Sequence, residues 1–205
     1  MRLKMEKHKR ANADQVTAIV LAAGQGSRFK HPSGVFKLAH QIQLNNKSLP
    51  ILSHTLNHLN QIAAHCICVV DPLRRDALHF LSEHKSVQVI DNPNTKLGMS
   101  ESLKRGAALI PPNHGIMICL ADMPYIQAST YQLLLDTFKQ NHGTKIVRPT
   151  FNGHDGHPVI FPYRYCPDLL QLNGDQGAKA LIKETDLLRI DCDDEGILMD
   201  IDHFA

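Results

Sequence analysis

The chain has 205 residues, of which 43% are hydrophobic and 20% charged, with a formal net charge of +2. That length supports one good core in one compact domain, the composition is ordinary for a soluble globular protein, and the near-balanced charge argues against a dedicated nucleic-acid binder. No apolar run reaches the length of a membrane span, so neither a nucleic acid nor a membrane is expected as a partner.

The head carries Arg2, Lys4, Lys7, Lys9 and Arg10 against Glu6 and lacks the apolar stretch of a secretory signal. It reads as a flexible basic tail over residues 1–15, followed by one domain over residues 16–205. Thr17–Leu21 is an apolar strand. Leu52, Leu56, Leu59 and Ala63 recur at helical spacing. Cys66–Val70 is a strand closed by Asp71-Pro72, and Leu73, Ala77, Phe80 and Leu81 mark a second helix. Val87–Ile90 is a short strand. Leu103, Ala107 and Ile110 mark a third helix, opened by Gly98-Met99-Ser100. Ile116–Leu120 is the most apolar strand, and Leu133, Leu134 and Phe138 belong to a fourth helix. After Ile146–Pro149 the alternation loosens into a glycine- and histidine-rich loop, Phe151–His157. Beyond it lie a strand at Pro158–Phe161, a helical segment at Ala178–Lys183 and short strands at Leu187–Ile190 and Ile197–Ile201.

Strand–helix alternation with near-continuous apolar strands is the pattern of a mostly parallel sheet covered on both faces, a three-layer α/β/α Rossmann-like sandwich. Right-handed crossovers put the ends of Leu21, Val70, Ile90 and Leu120 on one edge, where such sheets bind ligands. Of the five cysteines, Cys66, Cys68 and Cys119 fall inside predicted strands. They read as small core residues in a reducing, cytoplasmic compartment. The thirteen histidines are scattered without zinc spacing. His54 and His58, one helical turn apart, are expected on an exposed helix face.

The first chemical signal is Leu21-Ala22-Ala23-Gly24-Gln25-Gly26-Ser27-Arg28, with Lys37 following. A strand feeds into glycines that let the backbone turn and approach a ligand closely. Free N–H groups there cradle an anion, and Arg28 and Lys37 neutralise phosphate oxygens. Phe29 stands where a dinucleotide fingerprint needs its third glycine, and no glycine precedes Lys47-Ser48, so neither common phosphate loop is present. A tight turn with two solvated cations is the plain alternative. The second signal is Asp122, at the end of the strand Ile116–Leu120. A carboxylate there holds Mg²⁺, which takes one or two carboxylates plus substrate phosphates; a helix cap is the alternative. Asp200 and Asp202 share one face if their segment is extended, and would complete that site. Asp193-Asp194-Glu195 reads as a solvated turn without chemistry.

Leu21-Ala22-Ala23-Gly24 with Ser27, Arg28 and Lys37-Leu38 resembles the signature of the nucleotidyltransferases related to the MobA and MocA proteins of molybdenum-cofactor biosynthesis. Leu120-Ala121-Asp122-Met123-Pro124 resembles that family's metal motif, and Gly98-Met99-Ser100 its helix-opening segment. Gly156-His157-Pro158-Val159, Gly174-Asp175-Gln176-Gly177-Ala178 and Asp200-Ile201-Asp202 resemble motifs of the MocA-like branch. His31–Phe36 lengthens the approach to Lys37 beyond the family's usual spacing.

The resemblance implies a nucleotide-diphospho-sugar transferase-like fold and transfer of CMP from CTP to the terminal phosphate of molybdopterin. The methyl of Ala23 would crowd a larger base than cytosine. Nucleotide contacts then fall to Leu21, Ala22, Ala23, Gly24, Gly26, Ser27, Arg28, Lys37 and Ser100. Acceptor contacts fall to His154, Gly156, His157 and Asp175, and a Mg²⁺ (or Mn²⁺) ion to Asp122 and Asp202, with Arg28, Lys37 and Asp122 as the catalytic set. A client molybdoenzyme or its chaperone is a further partner within this reading. A different acceptor (a sugar phosphate or methylerythritol phosphate), GTP as donor, or a non-catalytic nucleotide-binding maturation partner are the alternatives.

Overall fold

The computed structural model describes residues 15–26, 28–63 and 65–203; Ser27 and residues 1–14, most of the expected basic tail, lie outside the described residues. Strand β1 (Val16–Ala22) is buried along nearly its whole length. Two short strands, β2 (Gln41–Leu44) and β3 (Lys47–Pro50), follow as a separate antiparallel hairpin. The main sheet continues with β4 (His65–Val70), β5 (Val87–Asp91), β6 (Gly115–Leu120), β7 (Ile146–Phe151), β8 (His154–Asp155), β9 (Val159–Phe161) and β10 (Leu187–Asp191), in the order β10-β7-β9-β6-β1-β4-β5 with β8 beside β7.

β1 pairs in parallel with both β4 and β6, and β4 with β5. β9 inserts antiparallel between β6 and β7, while β10 returns to the parallel direction against β7. The sheet is therefore mixed but mostly parallel, as the alternation of elements leads one to expect.

Among the described residues four α-helices cover it: α1 (Ile51–Leu59), α2 (Met99–Ala107), α3 (Ala128–Gln140) and the short α4 (Cys166–Leu169). Side chains alternate across a strand, so each buried strand feeds two cores. Ala18, Val20, Cys68 and Cys119 face Leu52 and Leu56 of α1 and Leu134 of α3. Ile19, Ile67 and Ile118 face Leu103 and Ala107 of α2 and Leu169 of α4. The three cysteines expected in the core are buried there, and burial pushes the Cys66 thiol up to about 12.

Four local expectations need correction. The second predicted helix is a pair of 3-10 stretches, Pro72–Arg74 and Asp76–Glu83, because the backbone leaves helical geometry at Leu78 to seat Leu78, Phe80 and Leu81 in the core. Ala178–Leu181 is likewise a single 3-10 turn. The expected strand over 197–201 begins instead as a 3-10 turn at Glu195–Leu198, because Asp194 accepts from the Gly196 N–H and closes the chain into a turn. His54 is not on an exposed face: it is buried, with its Nε2 3.2 Å from the Ile42 carbonyl of β2. No helix among the described residues is long and apolar enough to cross a membrane.

Candidate active site

Because β1, β4, β5 and β6 run in parallel, their C-terminal ends share one edge, and a cleft opens there. It holds about 490 Å³ and is walled by the Ala23–Gly26 loop, Arg28, Lys37, the start of α2, Asp122, Asp175, Asp200 and Asp202. Three separate stretches of chain meet to build its charged wall, and each is held by a local device.

The first is the loop after β1. Ala22 and Ala23 are buried, while Gly24 and Gln25 are exposed to the cleft. Gly26 has φ of +60°, and a Cβ there would lie 3.2 Å from Lys37 Cβ, so this glycine lets the loop lie against the lysine. Lys37 starts a 3-10 turn whose neighbours Phe36 and Leu38 are both in the core. Anchored on either side, Lys37 reaches into the cleft despite the extra residues His31–Phe36.

The second stretch is the end of β6. Ala121 and Met123 are buried, and the Ala121 carbonyl accepts from Thr55 Oγ1 at 3.2 Å. Asp122, between them, turns the other way into the cleft. The third is the segment after Ile197. The Ile201 N–H donates to the Asp122 carbonyl at 3.0 Å. Ile201 packs toward the core, so its neighbours Asp200 and Asp202 both turn outward toward Asp122.

The resulting charge pattern is compact. Lys37 Nζ lies 2.5 Å from Asp122 Oδ2 and 3.6 Å from Asp202 Oδ1. Arg28 Nη1 lies 2.7 Å from Asp202 Oδ2. Carboxylate oxygens of Asp122, Asp200 and Asp202 lie within 4.8 Å of one another. Three carboxylates at this spacing form a hard-oxygen donor set that fits Mg²⁺ or Mn²⁺. The Lys37 ammonium offsets part of their mutual repulsion.

On the far wall, Gly98 has φ of +106°, and a Cβ on it would come within 2.3 Å of the Gly174 backbone. Only glycine permits that approach, which docks the first turn of α2 on the Gly174–Asp175 segment; the Ser100 N–H completes it by donating to the Gly174 carbonyl at 3.1 Å. The docking brings Thr95, Lys96, Met99, Ser102 and Asp175 to the cleft.

Leu21, Ala23, Gly24, Gly26, Arg28, Lys37, Asp122, Asp175 and Asp202 therefore line one cleft, and Asp200 joins them. Five expected contacts lie elsewhere. Ala22 is buried in the core one residue before the loop. Ser100 is fully buried, and its hydroxyl has no partner among the described residues; Ser102, two residues on and on the other side of α2, occupies the cleft wall and accepts from Asn92 Nδ2. His154 sits exposed in the β7–β8 hairpin, with its Nδ1 3.0 Å from the Asn152 carbonyl. Gly156 packs against Ile197, where a Cβ would meet Cδ1 at 2.6 Å. His157 lines an adjoining cavity instead; burial, helped by the charge of Arg148, pushes its pKa down to about 4.

Thr95 and Lys96 are cleft residues that sequence reasoning missed, and the glycine hinge at Gly98 is their nearest signal. Asp194 is the opposite case: the acidic turn read as solvated holds a buried carboxylate that accepts from Thr130 Oγ1 and the Gln127 N–H, tying the start of α3 to the C-terminal segment.

The MobA-like NTP transferase domain model matches residues 18–189. Among solved structures, a nucleotidyl transferase from Methanothermobacter thermautotroptrophicus, Mth528, superposes with a TM-score of 0.73 at 21% identity, covering 92% of each chain. Rv0371c from Mycobacterium tuberculosis H37Rv gives 0.71 at 23% identity, over 93% of this chain and 94% of that one. A second structure of it, in complex with manganese, gives 0.66 at 21% identity, over 87% and 89%. The bifunctional protein GlmU of Syntrophomonas wolfei is 26% identical over 133 residues, 65% of this chain but 28% of that protein's length. This chain thus spans well under half of that curated relative. The chain belongs to the MobA-like NTP transferase domain family.

Proposed function

We propose that the cleft transfers CMP from CTP to the terminal phosphate of a molybdopterin-type acceptor, releasing pyrophosphate. The observation that carries this reading is the meeting of two cations and three carboxylates in one cleft at a strand exit. Phosphoryl-type transfer asks a protein mainly for in-line positioning and charge neutralisation. In this scheme the backbone of Ala23–Gly26 cradles the triphosphate. Arg28 binds the departing β- and γ-phosphates, and Lys37 binds the α-phosphate, where charge shifts during attack. Asp122, Asp200 and Asp202 would hold a divalent cation, which supplies neutralisation between the nucleotide and acceptor phosphates. The acceptor brings its own phosphate oxygen as nucleophile, so no serine or cysteine is needed; Cys66, Cys68 and Cys119 are sealed in the core.

The methyl of Ala23, on the cleft wall, favours the smaller cytosine. A screen of CTP and GTP against molybdopterin, methylerythritol phosphate and a sugar phosphate, read by pyrophosphate release with Mg²⁺, tests the scheme. CTP with molybdopterin is expected to turn over fastest, and chelating the metal should abolish turnover. Faster turnover with another acceptor reassigns the substrate, and equal use of GTP removes the role given to Ala23.

A further inference from the structure

The extra residues His31–Phe36 stand between Arg28 and Lys37, and added length of that kind would let Arg28 wander from the cleft. The structure closes the stretch instead. A Cβ on Gly26 would lie 3.2 Å from Lys37 Cβ, so the two ends of the Gly26–Lys37 segment touch and the segment is a compact surface loop. Inside it the Phe29 N–H donates to the Gly26 carbonyl at 3.0 Å, and the Gly34 N–H donates to the His31 carbonyl at 2.9 Å. His31 Nδ1 accepts from the Ser33 N–H at 3.1 Å. Arg28 sits in the first of those turns.

Three rings gather at the base of this loop. Phe29 is only 8% exposed. Its ring centroid lies 6.4 Å from that of His31, nearly parallel at 15°, and 5.4 Å from that of His40; the two imidazoles are 4.9 Å apart. Ring pairs attract at these separations. His40 lies beyond the loop and is fixed there. Its N–H donates to the Phe36 and Lys37 carbonyls, and its carbonyl accepts from the Ile51 N–H that opens α1. The cluster therefore ties the loop's first turn to a point anchored on α1. Arg28 needs that tie. Its side chain is 70% exposed and meets Asp202 in an ion pair of 2.7 Å. An exposed pair of that kind is too weak to hold a loop by itself. Lys37 differs, because Phe36 and Leu38 fix it from the core.

We propose that Phe29, His31 and His40 are positioning residues: their ring cluster latches the Gly26–Lys37 loop and thereby presents Arg28 to the triphosphate. None of the three lines the cleft, so they act through Arg28. The inference rests on the triphosphate-binding role given to Arg28 and adds what holds that side chain in place.

Two measurements on the full chain test it. The first needs no nucleotide: limited digestion with trypsin, read by fragment mass for cleavage after Arg28 or Lys30. His40→Ala should speed that cleavage by about tenfold or more, while His40→Phe, which keeps a ring, should stay within about twofold of wild type. The second is CTP binding in the presence of Mg²⁺. Phe29→Ala should weaken it by about fivefold or more in the wild-type background, but by less than about twofold in an Arg28→Ala background, where the latch has nothing left to position. His40→Ala, at a half-buried site, should show the same dependence even if Phe29→Ala folds poorly. Equal losses in the two backgrounds would make the rings packing alone and overturn the inference. Unchanged cleavage in His40→Ala would overturn it as well. A wild type that resists cleavage yet shows no Mg²⁺-dependent CTP binding defeats the nucleotidyl-transfer reading, and with it the target given to Arg28, while the cleavage pattern still identifies the latch.

Discussion

Residues 15–140 and residues 146–203 build the same cleft by different means. The first stretch supplies β1, β4, β5 and β6, nearly continuous apolar strands whose parallel order alone puts Gly24, Lys37 and Asp122 at one edge. The second supplies short strands, 3-10 turns and charged side chains. Asp155 is held by both Arg148 and Arg189, and Arg189 also pairs with Glu184. In the first stretch, hydrophobic burial places the chemistry. In the second, specific polar contacts do, and there a single side chain decides where a whole segment runs.

The contrast predicts that one first-stretch residue carries the largest catalytic effect with little structural cost. Lys37 is mostly shielded in its pairing with Asp122, and its neighbours Phe36 and Leu38 hold the backbone without help from the ammonium. Lys37→Ala should lower kcat/KM by about 100-fold or more, about 2.7 kcal/mol of transition-state stabilisation, by analogy with removal of one preorganised donor. The thermal midpoint should move little. Near-wild-type kinetics would remove the lysine from the scheme and weaken the claim that the first stretch carries the chemistry.

The same contrast explains what was legible. The parallel sheet, its burial and the loop–lysine–aspartate constellation are written in period and punctuation: apolar runs, Gly24 and Gly26, and Asp122 placed just after Leu120. The β2–β3 hairpin was also written, though less plainly. Asn45 and Asn46 both adopt positive φ, 53° and 61°, as a two-residue hairpin turn requires. Their flanks are too short and too polar to stand out as strands. The second stretch was harder because its determinants are pairwise. Nothing local separates Asp194, buried under Thr130, from its exposed neighbours Asp193 and Glu195. Nor does local sequence show that Ser100 turns into the core while Ser102 faces the cleft. Only the docking of α2 on Gly174 decides it.

Asp194 offers the sharpest test of the second stretch. Its carboxylate accepts from Thr130 Oγ1 at 2.5 Å, from the Gln127 N–H at 2.9 Å and from the Gly196 N–H at 3.0 Å. Asp194→Ala orphans all three donors, at a cost of about 2–3 kcal/mol. Chemical denaturation should show that loss, with kcat within about threefold of wild type at low temperature, because Asp194 does not line the cleft. Abolished activity with unchanged stability would instead make this turn part of the chemistry.

The smallest effect concerns His157 and carries a definite sign. Burial, with Arg148 of β7 adding to it and Asp122 beyond β6 opposing it, lowers the ring's pKa from 6.5 to about 4. In the unfolded chain the ring takes up a proton as pH falls through 6.5, while the folded ring stays neutral until about 4. Protons therefore favour unfolding in that window. The stability is fully present above pH 6.5, is lost progressively toward pH 4, and changes no further below it. His40, His58, His84 and His114 are also lowered by burial and contribute in the same direction. Comparison with His157→Gln cancels those shared terms. Acidification from pH 7 to 4 should therefore cost the wild type more than the glutamine variant, by on the order of 2 kcal/mol. Parallel stability curves for the two proteins would mean that the folded ring takes up its proton as readily as the unfolded one.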